Sequence, residues 1–135
     1  MNNHETAEKL FRDAEEYFED SGRSYQRKSW NQVVRRSQEV IELSLKALLK
    51  MMGVEYPKEH DIGEIFVNAC RKKQIEIEEG IAREIIRISS RLTDERAPSF
   101  YWEKVYSRQN AEEARQGAEK VLSFTRELLK KLKGE

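Results

Sequence analysis

The sequence predicts an all-α fold, an up-and-down antiparallel four-helix bundle with an additional short helix. Three observations carry this expectation. Apolar residues recur at i, i+3, i+4 and i+7 in nearly every window. No segment shows the apolar–polar alternation of a half-buried strand. Two prolines and six glycines in 135 residues leave few places for turns, so the elements must be few and long. The length suits one domain, residues 1–135.

In the first helix Ala7, Leu10, Phe11, Ala14, Tyr17 and Phe18 form one stripe, and Asn2 with Glu5 reads as a capping box at its start. The stripe fades at Ser21-Gly22, which predicts a turn there. The second helix spans about Ser29 to Met52. Trp30, Val33, Val34, Ser37, Val40, Ile41, Ser44, Ala47, Leu48, Met51 and Met52 share a face, and Leu43, Leu45 and Leu49 add a second apolar flank. A helix apolar on more than one side is packed between neighbours, so this one is the expected centre of the bundle. Gly53 suits the position just past its end.

A loop with Pro57 follows. Asp61 with Glu64 reads as another capping box, opening a short helix with Ile62, Ile65, Phe66 and Ala69 inward. A linker with Ile75, Ile77 and Gly80 leads to a fourth helix over about Ile81 to Thr93. Residues 94–109 read as irregular, with Pro98 and a cluster of aromatics. The last helix is expected to start near Asn110, with Glu113 three residues on, and to carry Ala111, Ala114, Ala118, Val121, Leu122, Thr125, Leu128, Leu129 and Leu132 as its stripe. Lys130, Lys131 and Lys133 complement the negative end of its dipole.

Charge narrows the function classes. Charged residues make up 37% of the chain, yet formal net charge is zero. A generic nucleic-acid coat would be basic overall. No apolar run approaches the roughly 18 residues of a membrane span, and the polar, acidic N-terminus lacks the apolar stretch of a signal peptide, so the expected location is cytoplasmic. Taken by segment the neutrality dissolves. Residues 4–20 hold seven acids against two bases, whereas residues 21–37 hold five bases, including Arg35 and Arg36, and no acid. A solvated or salt-bridged face explains this segment, and a phosphate-facing groove is the functional alternative.

Most catalytic spacings are missing: no Gly-rich phosphate loop, no G-x-S-x-G, no H-E-x-x-H and no Glu-x-x-His pair. One cysteine, Cys70, rules out an internal disulfide and a Cys-rich zinc site. No cofactor or metal is expected. Glu42 and Lys46, at i and i+4, interrupt the most apolar part of the second helix, and His60 precedes the helix that returns beside it. The three read as a loop-to-helix tie or as a polar pocket at one end of the bundle. Phe100, Tyr101, Trp102 and Tyr106 are interleaved with Arg96, Lys104 and Arg108. Aromatic faces stack bases while cations hold phosphates; the same rings also suit a plug for the end of the bundle.

The segment ELSLKALL (Glu42 to Leu49), the loop G-x-x-x-P-K-x-H-D-I (Gly53, Pro57, Lys58, His60, Asp61, Ile62), the short third helix and the Ala-rich, acidic start of the last helix (Asn110 to Ala114, then Ala118) occur in that order. The pattern resembles the HEPN domain family, prokaryotic helical domains associated with minimal nucleotidyltransferases, over nearly the whole chain. The resemblance implies a four-helix bundle that is usually a homodimer. It also implies a nucleotide- or substrate-binding partner of a separately encoded minimal nucleotidyltransferase, in some cases within a toxin–antitoxin-type module. A ribonucleolytic branch uses an R-x(4–6)-H motif. Here Arg91 and Arg96 are the candidate arginines and no His follows either; Tyr101 stands at the four-residue spacing after Arg96, with a pKa too high to replace imidazole easily. Nucleotide transfer onto a tyrosine near that motif would have Tyr101 and Tyr106 as acceptors. The expected function is therefore non-catalytic binding of a nucleotide, with RNA a lesser alternative ligand and no membrane. The candidate residues are Arg35, Arg36, Lys46, His60, Arg96, Tyr101, Tyr106 and Arg108. A metal-independent ribonuclease and a purely structural helical adaptor are the alternatives.

Overall fold

In a computed structural model, which describes residues 1–56, 58, 61–94 and 105–134, the described residues form five helices and no strand. They are α1 (Asn3–Gln26), α2 (Trp30–Met51), α3 (Gly63–Lys72), α4 (Glu79–Asp94) and α5 (Arg108–Leu132). Pro57, His60, Arg96, Pro98, Phe100, Tyr101, Trp102 and Lys104 lie outside the described residues. None of the described helices is long and apolar enough to cross a membrane.

The central place of α2 follows from its two apolar flanks. Thirteen of its 22 residues are buried, and it touches each of the other four helices. Val40, Leu45, Leu48 and Leu49 are fully buried and meet Ile62 and Phe66 in one core. Burying a side chain of this size contributes about 1.5–3 kcal/mol, so the continuous α2 face is the main source of cohesion. The other helices gather round it in a fixed order. Polar contacts tie α1 antiparallel to α5: Glu8 to Lys133, Glu15 to Arg126 at 3.2 Å, Ser21 to Arg115 at 3.0 Å, and Tyr25 to Glu112. A second ladder sets α4 antiparallel to α5, with Glu84 and Lys120 at 2.9 Å and Arg91 and Glu113 at 2.6 Å. Between these two pairs the Ile88 side chain seats against Gly117, where a Cβ would come within 3.1 Å of its Cγ2.

Three local expectations are corrected. The turn expected at Ser21-Gly22 is helical, and α1 continues to Gln26. Both small residues are there for packing: Ser21 is fully buried, and a Cβ on Gly22 would lie 2.9 Å from the Arg115 guanidinium. The chain turns instead at Lys28, in the left-handed region at φ 61°. The Lys28 N–H donates to the Tyr25 carbonyl at 3.0 Å and the Ser29 N–H to that of Ser24 at 2.9 Å, the double closure that usually selects glycine. Gly53 closes α2 in the same way, with Val54 N–H on the Leu49 carbonyl at 2.9 Å. A lysine in this conformation is strained by roughly 1 kcal/mol. Lys28→Gly is accordingly expected to stabilise the fold by about 0.5–1 kcal/mol, read as a higher urea midpoint. A lower midpoint would show that the Lys28 side chain is itself a stabilising contact.

The second correction concerns α3. Its N-cap is Ile62, which makes no side-chain cap bond, so the Asp61–Glu64 capping box does not form. The Asp61 carboxylate accepts the Ser89 hydroxyl at 2.8 Å, and Ser89 Oγ accepts the Gly63 N–H at 3.1 Å. A residue of α4 thus supplies the partner that the local sequence was expected to supply. The third concerns α5, which begins two residues before Asn110. Ser107 is the cap, accepting the Asn110 N–H at 3.1 Å, while Asn110 Oδ1 accepts the Ser107 N–H at 3.0 Å. At the start of α1 the expected cap residue holds its place: Asn2 Oδ1 accepts the Glu5 N–H at 2.8 Å, the N-cap half of the expected box.

Candidate functional site

The end of the bundle where α4 stops and α5 starts is also where the α1–α2 turn lies. Asn31, in the first turn of α2, is buried, and its side-chain oxygen accepts the Tyr106 N–H at 3.4 Å. This holds the entry to α5 against α2 and buries Tyr106 to 4% exposure. Tyr106 then forms one wall of a cleft of about 210 Å³ between α4 and α5. Val34, Ile88, Leu92 and Ala114 provide its apolar floor. Arg87, Arg91 and Lys120 bring three cations to its rim, with Glu84, Glu113, Asn110 and Gln116 beside them.

The electrostatics of this rim are those of exposed ion pairs. Arg91 faces Glu113 with both side chains 40% exposed or more. Lys120 faces Glu84, and its hydrogen bond and charge hold that carboxylate below its usual pKa, with Arg87 adding to the effect. Pairs so open to solvent are screened and hold their partners weakly. A phosphate or carboxylate ligand entering the cleft can therefore exchange with Glu113 or Glu84 at little cost.

Beside the cleft is a second cluster, which positions Arg108. The Arg108 Nε donates to the Tyr25 hydroxyl at 3.1 Å, and its guanidinium lies 5.7 Å from the Tyr25 ring centre and 5.9 Å from that of Trp30. The two rings meet edge to face at 5.3 Å. The Tyr25 hydroxyl in turn donates to Glu112, and these contacts raise the pKa of Arg108 further, led by the hydrogen bond to Tyr25. Arg108 is thereby a fixed cation on an aromatic platform.

The expected binding residues fall into separate groups. Tyr106 and Arg108 share this end of the bundle. Arg35 and Arg36 are close along the chain to Val34 but do not line the cleft. Both contact Glu39, at 3.7 and 3.1 Å, and the Arg36 guanidinium lies over the Tyr17 ring of α1 at 5.1 Å. Lys46 is further off. Fifteen residues separate it from Asn31, about 22 Å along α2. There Lys46 and Glu42 form a mostly buried pair at 3.3 Å, with Gln38 donating to the other Glu42 oxygen at 3.3 Å and the Tyr56 ring under the ammonium at 5.3 Å. His60, Arg96 and Tyr101 lie outside the described residues.

Sequence reasoning missed Arg87, Lys120, Asn110 and Glu113 on the cleft, and Tyr25 and Trp30 on the platform. A signal for the first existed: Arg83, Arg87 and Arg91 recur every fourth residue along α4, opposite its isoleucines. Tyr25 and Trp30 carry none, since only the Lys28 turn brings them together. Cys70 takes no part. It is buried, and burial pushes its thiol up to about 11, far from a reactive thiolate. Among the described residues no group of acidic, His or Cys side chains is placed to hold a metal ion. A family model described as HEPN domain matches residues 7–128. No curated protein and no solved structure shows a match to the chain.

Proposed function

Because the chain belongs to the HEPN domain family, we propose that it is a non-catalytic nucleotide-binding protein, a homodimer that serves a separately encoded minimal nucleotidyltransferase, as in toxin–antitoxin-type modules. The fold that goes with this reading is an up-and-down antiparallel four-helix bundle of α1, α2, α4 and α5, with α3 as the additional short helix. One observation carries the ligand part: three cations, Arg87, Arg91 and Lys120, converge on the rim of a cleft that Tyr106 also lines. Cations with replaceable counterions suit phosphates, and an aromatic wall suits a base. In the sequence Arg96 and Tyr101 fall between the end of α4 and the start of α5.

The non-catalytic part rests on chemistry. A ribonuclease of this family type needs an imidazole after its arginine, and no histidine follows His60 in the chain. The described lining of the cleft includes no histidine to move a proton from a 2′-hydroxyl.

Thermal unfolding with adenosine and guanosine triphosphates tests the ligand. A ligand at a hundred times its Kd stabilises by about 2.7 kcal/mol, so millimolar nucleotide is expected to raise the Tm by several degrees. Both arginines are exposed, so Arg87→Ala with Arg91→Ala should leave the fold intact and abolish the shift. No shift in the wild type at millimolar nucleotide, or an unchanged shift in the double variant, would overturn the site.

A further inference from the structure

Beyond the Gly117–Ile88 contact, towards the start of α4 and the end of α5, the two helices flank an apolar groove of about 670 Å³. Its walls are Ile81, Ile85 and Ile88 from α4 and Val121 and Phe124 from α5. Ile81 is 37% exposed, one of the few large apolar side chains left open on this surface. Phe124 is half-buried and rests edge-on against the fully buried Phe66 at 6.0 Å, so the floor of the groove is anchored to the core. A patch of this kind, apolar along its axis and polar along its edges, marks an interaction surface.

Its edges specify what fits. Three carboxylates, Glu84, Glu119 and Glu127, line the groove against a single ammonium, Lys120, and that ammonium is already held by Glu84 at 2.9 Å. None of the arginines of α4, Arg83, Arg87 and Arg91, lines it. A second copy of the same groove would set these carboxylates against their own counterparts. We propose that the groove between the start of α4 and the end of α5 is the docking site for a basic amphipathic helix of a partner protein. Such a helix presents apolar residues at i, i+4 and i+7 to Ile81, Ile85 and Phe124, with Lys or Arg on its flanks facing Glu84, Glu119 and Glu127. The groove adjoins the nucleotide cleft across the Glu84–Lys120 pair, but its occupancy does not depend on a nucleotide.

The probes are two synthetic amphipathic helices with identical leucine spacing, one flanked by lysines and one by glutamates, each fluorescein-labelled and titrated with the full chain. The lysine peptide is expected to bind, and the glutamate peptide at least about tenfold more weakly, with the gap shrinking as salt rises. Ile81→Ser should weaken the lysine peptide about tenfold, a loss of ~1.4 kcal/mol. Glu119→Lys with Glu127→Lys should reverse the preference between the two peptides. Glu16→Lys, on the acidic face of α1, should change neither. Equal binding of both peptides, or indifference to Ile81→Ser and to the charge reversal, would overturn the proposal. So would light scattering in which Ile81→Ser splits a dimer into monomers, since a second copy would then be the occupant.

Discussion

Replacing Phe66 by alanine is expected to cost about 4 kcal/mol of folding stability. Among the described residues Phe66 is the largest fully buried side chain. It belongs to the same core as Leu45, Leu48 and Leu49, and it supports Phe124 edge to face. Truncation removes the transfer free energy of the ring and leaves a cavity that helices on several sides cannot collapse to fill; such changes cost roughly 3–5 kcal/mol. With native stabilities of about 5–15 kcal/mol, the variant would be near the edge of folding. Urea unfolding followed by circular dichroism checks this. A loss below about 1 kcal/mol would mean that α3 is not docked as described. Since the ring supports Phe124, the same variant should also loosen the floor of the α4–α5 groove.

Gly63→Ala is the second large effect, and its sign runs against helix propensity. Alanine for glycine within a helix ordinarily stabilises by up to about 1 kcal/mol. At Gly63, the first residue of α3, a Cβ would stand 2.8 Å from Ser89 Cβ, 3.1 Å from the Ile85 carbonyl oxygen and 3.1 Å from Ile86 Cα. Backbone atoms of α4 cannot step aside as a flexible side chain can. To admit the methyl, α3 must move off α4 and stretch the Gly63–Ser89–Asp61 hydrogen bonds. Overpacking costs ~1–3 kcal/mol, and losing a buried hydrogen bond about 1 kcal/mol more, so a loss of about 3 kcal/mol is expected. Gly22→Ala is the control. There the close atom is the tip of Arg115, which can swing away, and the substitution should be neutral or slightly stabilising. If both variants unfold at the same urea concentration, the α3–α4 contact at Gly63 is not tight.

The pairing of these two glycines shows what the amino-acid order could reveal. The fading apolar stripe of α1 reads as a turn at Gly22, and Gly63 carries no special signal at all. In the folded chain both are small because another helix lies against them. Arg115 is 93 residues beyond Gly22, and Ser89 is 26 beyond Gly63. Contacts at such separations leave no periodic trace. The Lys28 turn was hidden for a related reason: the left-handed residue that closes α1 is a lysine, so the usual glycine marker is missing.

The candidate site was legible in part. Tyr106 and Arg108 are legible in the mixture of rings and cations; Tyr106 is buried in the wall of the α4–α5 cleft, and Arg108 is held beside it on Tyr25 and Trp30. Arg35, Arg36 and Lys46 were chosen as charges on the central helix. The fold supplies them with Glu39 and Glu42 at helical spacing, and distance along α2 keeps Lys46 far from Tyr106. The cleft's own cations, Arg87 and Lys120, sit on two helices whose register against each other cannot be read from either one.

By itself, then, the sequence determined the five helices, the central position of α2 and the HEPN kinship, because periodicity, caps and motif order are local properties carried by consecutive residues. Tertiary structure alone decided which of the many charges share a cleft, which glycines are contact points, and that α4 and α5 flank an acid-rimmed apolar groove. Those outcomes depend on the relative register of helices separated by long stretches of chain, set by how Ile88 meets Gly117 and how Phe66 supports Phe124, and no single helix encodes that register.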